Sequence, residues 1–261
     1  MSMTLVQQQF GLNAQAYVRS AVHAQGQSLQ RLVELAAPQP DWLALDVAPG
    51  GGHSALAVAG QVRQVIALDL TLAMLRAARD YGASLGLHNV LWVQGDGGRL
   101  PLPENCFDLV TCRVALHHFP DQGAAIRDWA RTLRPDGRLV LVDNISPDDP
   151  AAAAYVNAFE KLRDPSHGWL HTMDSLATFC SQAGLRILHQ ERLNKPMNFQ
   201  QWMDRMAVGT QDQERLTGLL WSSPAAVRLF LDPQGSGPDT TFSLHEGIIL
   251  AEKASGSASF F

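Results

Sequence analysis

The sequence predicts an α/β fold, an open and mostly parallel sheet with helices on both faces and a helical cap over one edge. Three observations predict it. Apolar runs of about five residues alternate with amphipathic stretches, the pattern of βαβ units whose parallel strands need crossover helices. The runs are nearly continuous in apolar character, so both faces of each strand are covered. Turns rich in glycine and acid follow the runs and converge on one rim of the sheet.

Each element has its own justification. To about Pro40 the chain reads as helix: Leu29, Leu32, Val33 and Ala36 recur at helical spacing, and Pro38 and Pro40 stop the pattern. Strands are expected at 43–48, 64–68, 89–94, 107–112 and 138–142, with helices at 53–59, 71–85, 116–119 with its continuation, and 123–133. The rhythm then breaks. Pro147, Asp148, Asp149 and Pro150 precede a helical run carrying Tyr155, Phe159 and Leu162. Helix 174–183, strand 185–193, helices 199–206 and 211–219, and a last strand 242–251 follow. The chain is therefore expected to be one domain over 1–261. Its N-terminal helices occupy 1–40, the ligand-binding core 41–145, the cap insertions 146–173 and 198–238, and a frayed Gly/Ser/Ala-rich tail 254–261.

Composition narrows the function. The 261 residues carry 20 Lys plus Arg against 25 Asp plus Glu, a net charge of −5, which disfavours a nucleic-acid partner because phosphate contacts need clustered positive charge. Cys106, Cys112 and Cys180 are odd in number and lack CxxC spacing, so neither a disulfide frame nor a metal site is expected, and a reducing cytoplasm is the expected location. No apolar run approaches the roughly 20 residues of a membrane span.

Four motifs carry the chemistry. Leu45-Asp46-Val47-Ala48-Pro49-Gly50-Gly51-Gly52-His53-Ser54 follows an apolar strand and opens a helix. Open α/β sheets bind ligands beyond the carboxyl ends of their strands, and Gly50–Gly52 would let a ligand lie against bare backbone. Alone, the triplet could be a packing turn. Asp69 ends the second strand about 20 residues beyond the glycines, where an acid can accept both hydroxyl protons of an adenosine ribose; alone it could cap the helix beginning at Thr71. Gly95-Asp96-Gly97 ends the third strand, and Asp96 could accept from an adenine amino group or merely be solvated. Leu100-Pro101-Leu102-Pro103 leads to Phe107-Asp108, and Arg113 to Phe119 close the fourth strand.

In this order and spacing, with Leu133-Arg134-Pro135-Asp136-Gly137 before the fifth strand, the chain resembles the class I S-adenosylmethionine-dependent methyltransferases. The likeness is greatest to the methyltransferase type 11 group that includes the ubiquinone/menaquinone-biosynthesis C-methyltransferases. It covers about residues 10 to 195 and is strong across 43–143. The resemblance implies a Rossmann-like seven-stranded sheet of order 3-2-1-4-5-7-6. It also implies S-adenosylmethionine as cofactor, S-adenosylhomocysteine as product and a small-molecule acceptor. By family precedent Asp46, Ala48 and the backbone from Gly50 to Gly52 hold the methionine end, and Asp69 binds ribose. Leu70 and Met74 flank adenine, Asp96 and Gly97 read its edge, and backbone near Arg113, with His118, lines the open side. Tyr17 matches a tyrosine that closes over the methionine moiety. Two positions depart from the family pattern: Ala48 stands for the first glycine of the loop, and Asp136 for a turn glycine.

Rival readings share some of these features. Gly50-x-Gly52-x-x-Ala55 fits a dinucleotide fingerprint, but Asp46, Gly95-Asp96 and the lack of a Tyr-x-x-x-Lys pair oppose a nicotinamide oxidoreductase. A nucleic-acid methyltransferase would carry Asn/Asp-Pro-Pro-aromatic where Thr111-Cys112-Arg113-Val114 stands. A non-catalytic homologue would bind cofactor without turnover.

Methyl transfer needs alignment of the nucleophile and, for an enol or phenol, a base. His117, His118, His167 and His171 are the candidates, with His118 and His167 foremost. His167 lies in the Arg163-Asp164-Pro165-Ser166-His167-Gly168-Trp169 segment of the cap and is expected to face the acceptor. Phe199, Trp202, Met203, Met206, Leu219, Leu220 and Trp221 are either plain core or the wall of an apolar pocket suited to an aromatic or prenylated acceptor. The sequence leaves monomer and homodimer equally open.

Overall fold

Local alternation within the apolar runs explains how the sheet takes helices on both sides. The computed structural model describes residues 3–18 and 26–255, leaving out the side chains of residues 3, 4, 12, 13 and 15–17. The expectations for the Tyr17 side chain and for tail residues 256–261 thus lie outside the described residues. Strands β1 (Leu43–Val47), β2 (Gln64–Asp69), β3 (Val90–Gln94), β4 (Phe107–Arg113), β5 (Leu133–Asn144), β6 (Leu185–Asn198) and β7 (Thr241–Lys253) form one sheet. Its order is β3-β2-β1-β4-β5-β7-β6, as the family resemblance implies. The first five strands are parallel, and β7 enters antiparallel between β5 and β6.

Ten α-helices are described: α1 (Met3–Val18), α2 (Gln27–Ala36), α3 (His53–Ala59), α4 (Leu72–Ser84), α5 (Gln122–Thr132), α6 (Pro150–Arg163), α7 (Met173–Gln182), α8 (Phe199–Asp204), α9 (Thr210–Trp221) and α10 (Ala225–Leu231). Leu45, Leu139 and Leu141 face α5 and α7, where Trp129 and Leu176 meet them. Ala44, Val140 and Val142 face α2 and α3, meeting Leu32 and Ala55. Successive strand residues point to opposite faces, so a strand covered on both sides loses its polar half. A third apolar cluster joins α6, α8, α9 and α10 to the far ends of β6 and β7.

Three boundaries differ from the expectation. β6 runs five residues past Leu193, to Asn198, because Asn194–Asn198 pair with Thr241–His245 of β7. That partner is distant in sequence, and an edge strand with one wet face carries little apolar signal; Pro196 is tolerated there for the same reason. β5 starts at Leu133, where the stretch expected to be a turn is an excursion between Phe107↔Leu133 and Leu109↔Arg138. Asp136 takes φ 62° there, and a Cβ on Gly137 would stand 2.9 Å from the Arg134 carbonyl. Helix α10 was expected only as part of the cap.

Candidate active site

The strand ends create the site. β1 cannot continue because Ala48, Gly50 and Gly52 all take positive φ, at 53°, 55° and 86°. The chain folds back so that Ala48 N–H donates to the Leu68 carbonyl (2.8 Å) and Gly52 N–H to the Pro49 carbonyl (2.9 Å). Gly52 then precedes α3. Ala48 holds the left-handed conformation that the missing glycine would adopt freely, and a Cβ there is strained. Ala48→Gly is therefore expected to stabilise the fold by about 0.5–1 kcal/mol, read as a rise in the urea midpoint at unchanged m-value.

Beyond this turn lies a cavity of about 350 Å³, within the range of cofactor clefts. Of the residues predicted from sequence, Ala48, Gly50, Asp69, Leu70, Met74, Asp96, Gly97, Arg113 and His118 line it. Asp46 and Gly52 do not. The Asp46 carboxylate is turned inward, where Oδ1 accepts from Thr111 Oγ1 and Oδ2 from Ser54 Oγ, each at 2.7 Å. Burial pushes this acid up to about 6, against the pull of those two hydroxyls and the Ala55 N–H. It ties β1, β4 and α3 together behind the cavity wall. A Cβ on Gly52 would meet Ala78 at 2.9 Å and Trp92 at 3.0 Å, so this glycine serves helix packing. In this geometry Asp46 and Gly52 support the loop from behind.

Asp69 is 8% exposed and faces the cavity. Its Oδ1 accepts from Thr71 N–H (2.8 Å) and its Oδ2 from Gly50 N–H (3.2 Å). Burial raises its pKa, while these donors lower it. The Thr71 side chain bonds to it as well; a carboxylate offers about four lone-pair sites, so capacity remains for a ligand. Asp96 is exposed at the rim and accepts from Gly98 N–H at 2.8 Å. The buried Gly97 gives its carbonyl to Trp129 Nε1–H (2.7 Å). Arg113 Nε donates to Ser28 Oγ at 3.3 Å. Val114, at φ 54°, bends the chain after β4. A β-branched residue in that region is strained, and such strain clusters at functional sites.

Three histidines meet beside the cavity. His117 and His118 rings lie 4.2 Å apart, and His117 and His167 rings 5.5 Å. Asp143 holds His117 twice, accepting from its backbone N–H (2.8 Å) and lying 2.7 Å from Nδ1. Burial works against the His117 cation, but the Asp143 charge and hydrogen bond outweigh it and the pKa rises. His118 Nδ1 lies 3.1 Å from the Ser166 carbonyl, and burial beside His117 depresses it to about 4. His167 Nε2 lies 2.9 Å from Asn157 Oδ1, which also accepts from Leu170 N–H. That oxygen can only accept, so Nε2 carries the proton. Burial and the neighbouring cations drive His167 to about 2. His171 packs on Phe179 and lines an outer groove.

A pH dependence follows. An unfolded chain binds a proton at histidine near pH 6.5, whereas folded His167 does so near 2. Between these values unfolding takes up a proton, so stability falls as pH falls, by about 1.4 kcal/mol per pH unit for this one group. His167→Asn is expected to flatten the acid limb by that slope, measured from urea midpoints between pH 6.5 and 4.5.

Sequence reasoning did not single out Asp143, Glu160, Asn144 or Phe10. Only the placement of Asp143 at the end of a strand hinted at a role. The cap aromatics, for their part, form a core of their own. Phe159 stacks on Trp202 at 5.1 Å, Phe199 and Phe242 complete the set, and Met203, Leu219 and Leu220 join the same cluster. Trp221 is largely outside it, 39% exposed.

Fold and rim together define the class: an α/β enzyme that holds its cofactor beyond the carboxyl ends of its strands. Residues 45–141 match the family model described as a methyltransferase domain. The chain is 35% identical to the uncharacterised methyltransferase YcgJ of Bacillus subtilis, over 75% of this chain and 78% of that protein. It is 29% identical to the ubiquinone/menaquinone biosynthesis C-methyltransferase UbiE of Pseudomonas putida, over 67% of this chain and 70% of that one. A crystal structure from Bacillus halodurans, assigned as a methyltransferase, superposes with TM-score 0.84 at 33% identity, covering 88% of this chain and all of the other. The chain belongs to the class I S-adenosylmethionine-dependent methyltransferases. Among the described residues no helix is long and apolar enough to cross a membrane.

Proposed function

We propose that this enzyme transfers the methyl group of S-adenosylmethionine to a small-molecule acceptor at a carbon or oxygen nucleophile. One observation carries the reading. Asp69 is a buried carboxylate on the cavity wall, bonded to the Gly50 N–H, with acceptor capacity left over. Such an acceptor fits a ribose, whose two hydroxyls donate. Leu70 and Met74 would flank the adenine, and Asp96 with the Gly97 N–H would meet its edge. The bare Gly50 and Gly51 backbone would take the methionine end, Ala48 would shape the turn, and Asp46 would hold the loop from behind. The backbone at Arg113 and the ring of His118 would border the open side.

When bound, the cofactor supplies an electrophilic sulfonium methyl, whose C–S bond electrons stay with sulfur as the acceptor's lone pair takes the carbon. The chain's task is alignment and proton removal. Of the three clustered histidines, only His117 sits where its cation is favoured, so we assign the acceptor's proton to its Nε2, with Asp143 fixing the ring. His118 and His167, neutral through the physiological range, orient and desolvate rather than accept the proton. We read 1–40 as N-terminal helices, 41–145 as the cofactor core and 146–173 with 198–238 as the cap that shelters the acceptor.

Calorimetry with S-adenosylhomocysteine and with NAD, followed by transfer from methyl-labelled cofactor to a panel of phenols and enols, tests this reading. Binding of the sulfur compound with label in a panel member supports it. Uptake of the dinucleotide alone would overturn it. Cofactor binding with no transfer to any acceptor would favour the non-catalytic homologue.

A further inference from the structure

A second cavity, of about 70 Å³, lies between the strand rim and α6. It adjoins the first, since Phe10, Val114 and His118 line both. Its walls mix polar groups, Glu160, Asn144, Arg163 and Lys195 among them, with the apolar Met197 and Trp202 of the cap. Two atoms on its lining residues have no hydrogen-bond partner among the described residues: Glu160 Oε1 and Asn144 Oδ1. Glu160 is 4% exposed, on the inner face of α6.

Two cations of this wall, Arg163 and Lys195, are held by other groups. Arg163 Nε donates to the Trp202 carbonyl at 3.0 Å, with its guanidinium 4.7 Å over the Trp202 ring. Lys195 is held by Glu246 at 2.6 Å. An unpaired buried acceptor costs about 1–3 kcal/mol, and more when charged. An apolar acceptor group would leave both atoms unpaired. A single water needs only about 10–15 Å³ of such space, so the chamber has room for a larger polar group.

We infer that this chamber is the acceptor subsite, and that it takes a polar group bearing hydrogen-bond donors, a hydroxyl or an amine, held by Glu160 and Asn144. This rests on the methyl-transfer reading above and gives it an acceptor class. The reacting atom then lies toward His118 and Val114, where the two cavities meet. His117, which also lines the chamber, faces the same group as Glu160. The prenyl or plain aromatic acceptor that the cap residues suggested is disfavoured, because most of those side chains pack in their own core and an apolar group would leave Glu160 Oε1 and Asn144 Oδ1 unpaired.

The test uses the full chain saturated with S-adenosylhomocysteine and labelled with ¹⁵N. Ethanolamine, ethylene glycol and 1,2-dimethoxyethane, which lacks donors, are titrated while the amides of Val114 and His118 are followed. The donor-bearing probes are expected to bind about tenfold more tightly than the ether, and Glu160→Gln to weaken ethanolamine by about tenfold, as a hydrogen bond to a charged group would. S-adenosylhomocysteine affinity should change less than about twofold, because Glu160 lies off the cofactor cavity. Should Glu160→Gln fail to fold, Asn144→Ala gives the second reading, with the same loss of preference expected. Equal binding of the three probes, or a preference unmoved by either substitution, overturns the inference while leaving the cofactor assignment intact. Failure of the unaltered protein to bind S-adenosylhomocysteine overturns that assignment and this inference with it.

Discussion

Asp69→Ala is expected to weaken S-adenosylhomocysteine binding by at least about a hundredfold. The carboxylate accepts from the Gly50 and Thr71 N–H groups and from the Thr71 side chain, and presents its remaining capacity to the cavity. Each hydrogen bond to a charged acceptor is worth about 1.5–3 kcal/mol. Two ribose hydroxyls lost together therefore cost at least about 3 kcal/mol, or two decades in Kd. Asp69→Asn keeps the shape and one accepting oxygen, so its loss should be smaller, about tenfold. Stability should also fall in Asp69→Ala, because the Gly50 and Thr71 N–H groups lose their acceptor at about 1–3 kcal/mol each, partly offset by relief of the buried charge. Asp69→Asn, which keeps one accepting oxygen, should lose less. Calorimetric titration beside thermal melts separates the two effects. A loss below about threefold in Asp69→Ala would remove ribose from its assigned partner.

Trp129→Ala should produce the largest loss of stability, about 5 kcal/mol. Trp129 is fully buried between α5 and the sheet, and truncating a buried tryptophan costs about 3–5 kcal/mol. Its Nε1–H also satisfies the Gly97 carbonyl, which is left orphaned at a further cost of about 1–3 kcal/mol. The same side chain props Phe119, edge-on at 5.5 Å, against the cofactor cavity. Trp129→Phe separates packing from hydrogen bonding. It is expected to cost about 1–2 kcal/mol in urea unfolding and to loosen cofactor binding several-fold through Gly97. Unchanged affinity in a folded Trp129→Phe protein would show that Gly97 is held by other means.

The two variants mark different kinds of legibility. Asp69 could be found because its proposed role depends on an interval: an acid at the end of one strand, a fixed distance from glycines at the end of its neighbour. Parallel pairing of β1 with β2 carries that interval into space. Asp46 was legible as a motif member but not as an inward staple, since its partners Thr111 and Ser54 come from two other elements. The pairing of His117 with Asp143 was hidden for a similar reason. Two adjacent histidines look alike in sequence, and only the end of β5 distinguishes the one held as a potential cation from the one held neutral.

What the sequence determined by itself was everything that depends on local period and order: the strands of the core, the helices covering both faces, the glycine turn and the acids along the rim. These follow from side-chain alternation and backbone sterics, which act over a few residues. Only the tertiary structure decided which aromatics fill the cap, how far β6 extends, and that Glu160 Oε1 and Asn144 Oδ1, on residues lining one chamber, have no hydrogen-bond partner among the described residues. Those outcomes depend on which distant surfaces exclude water from one another, and burial of that kind is a property of the packed chain, not of any segment of it.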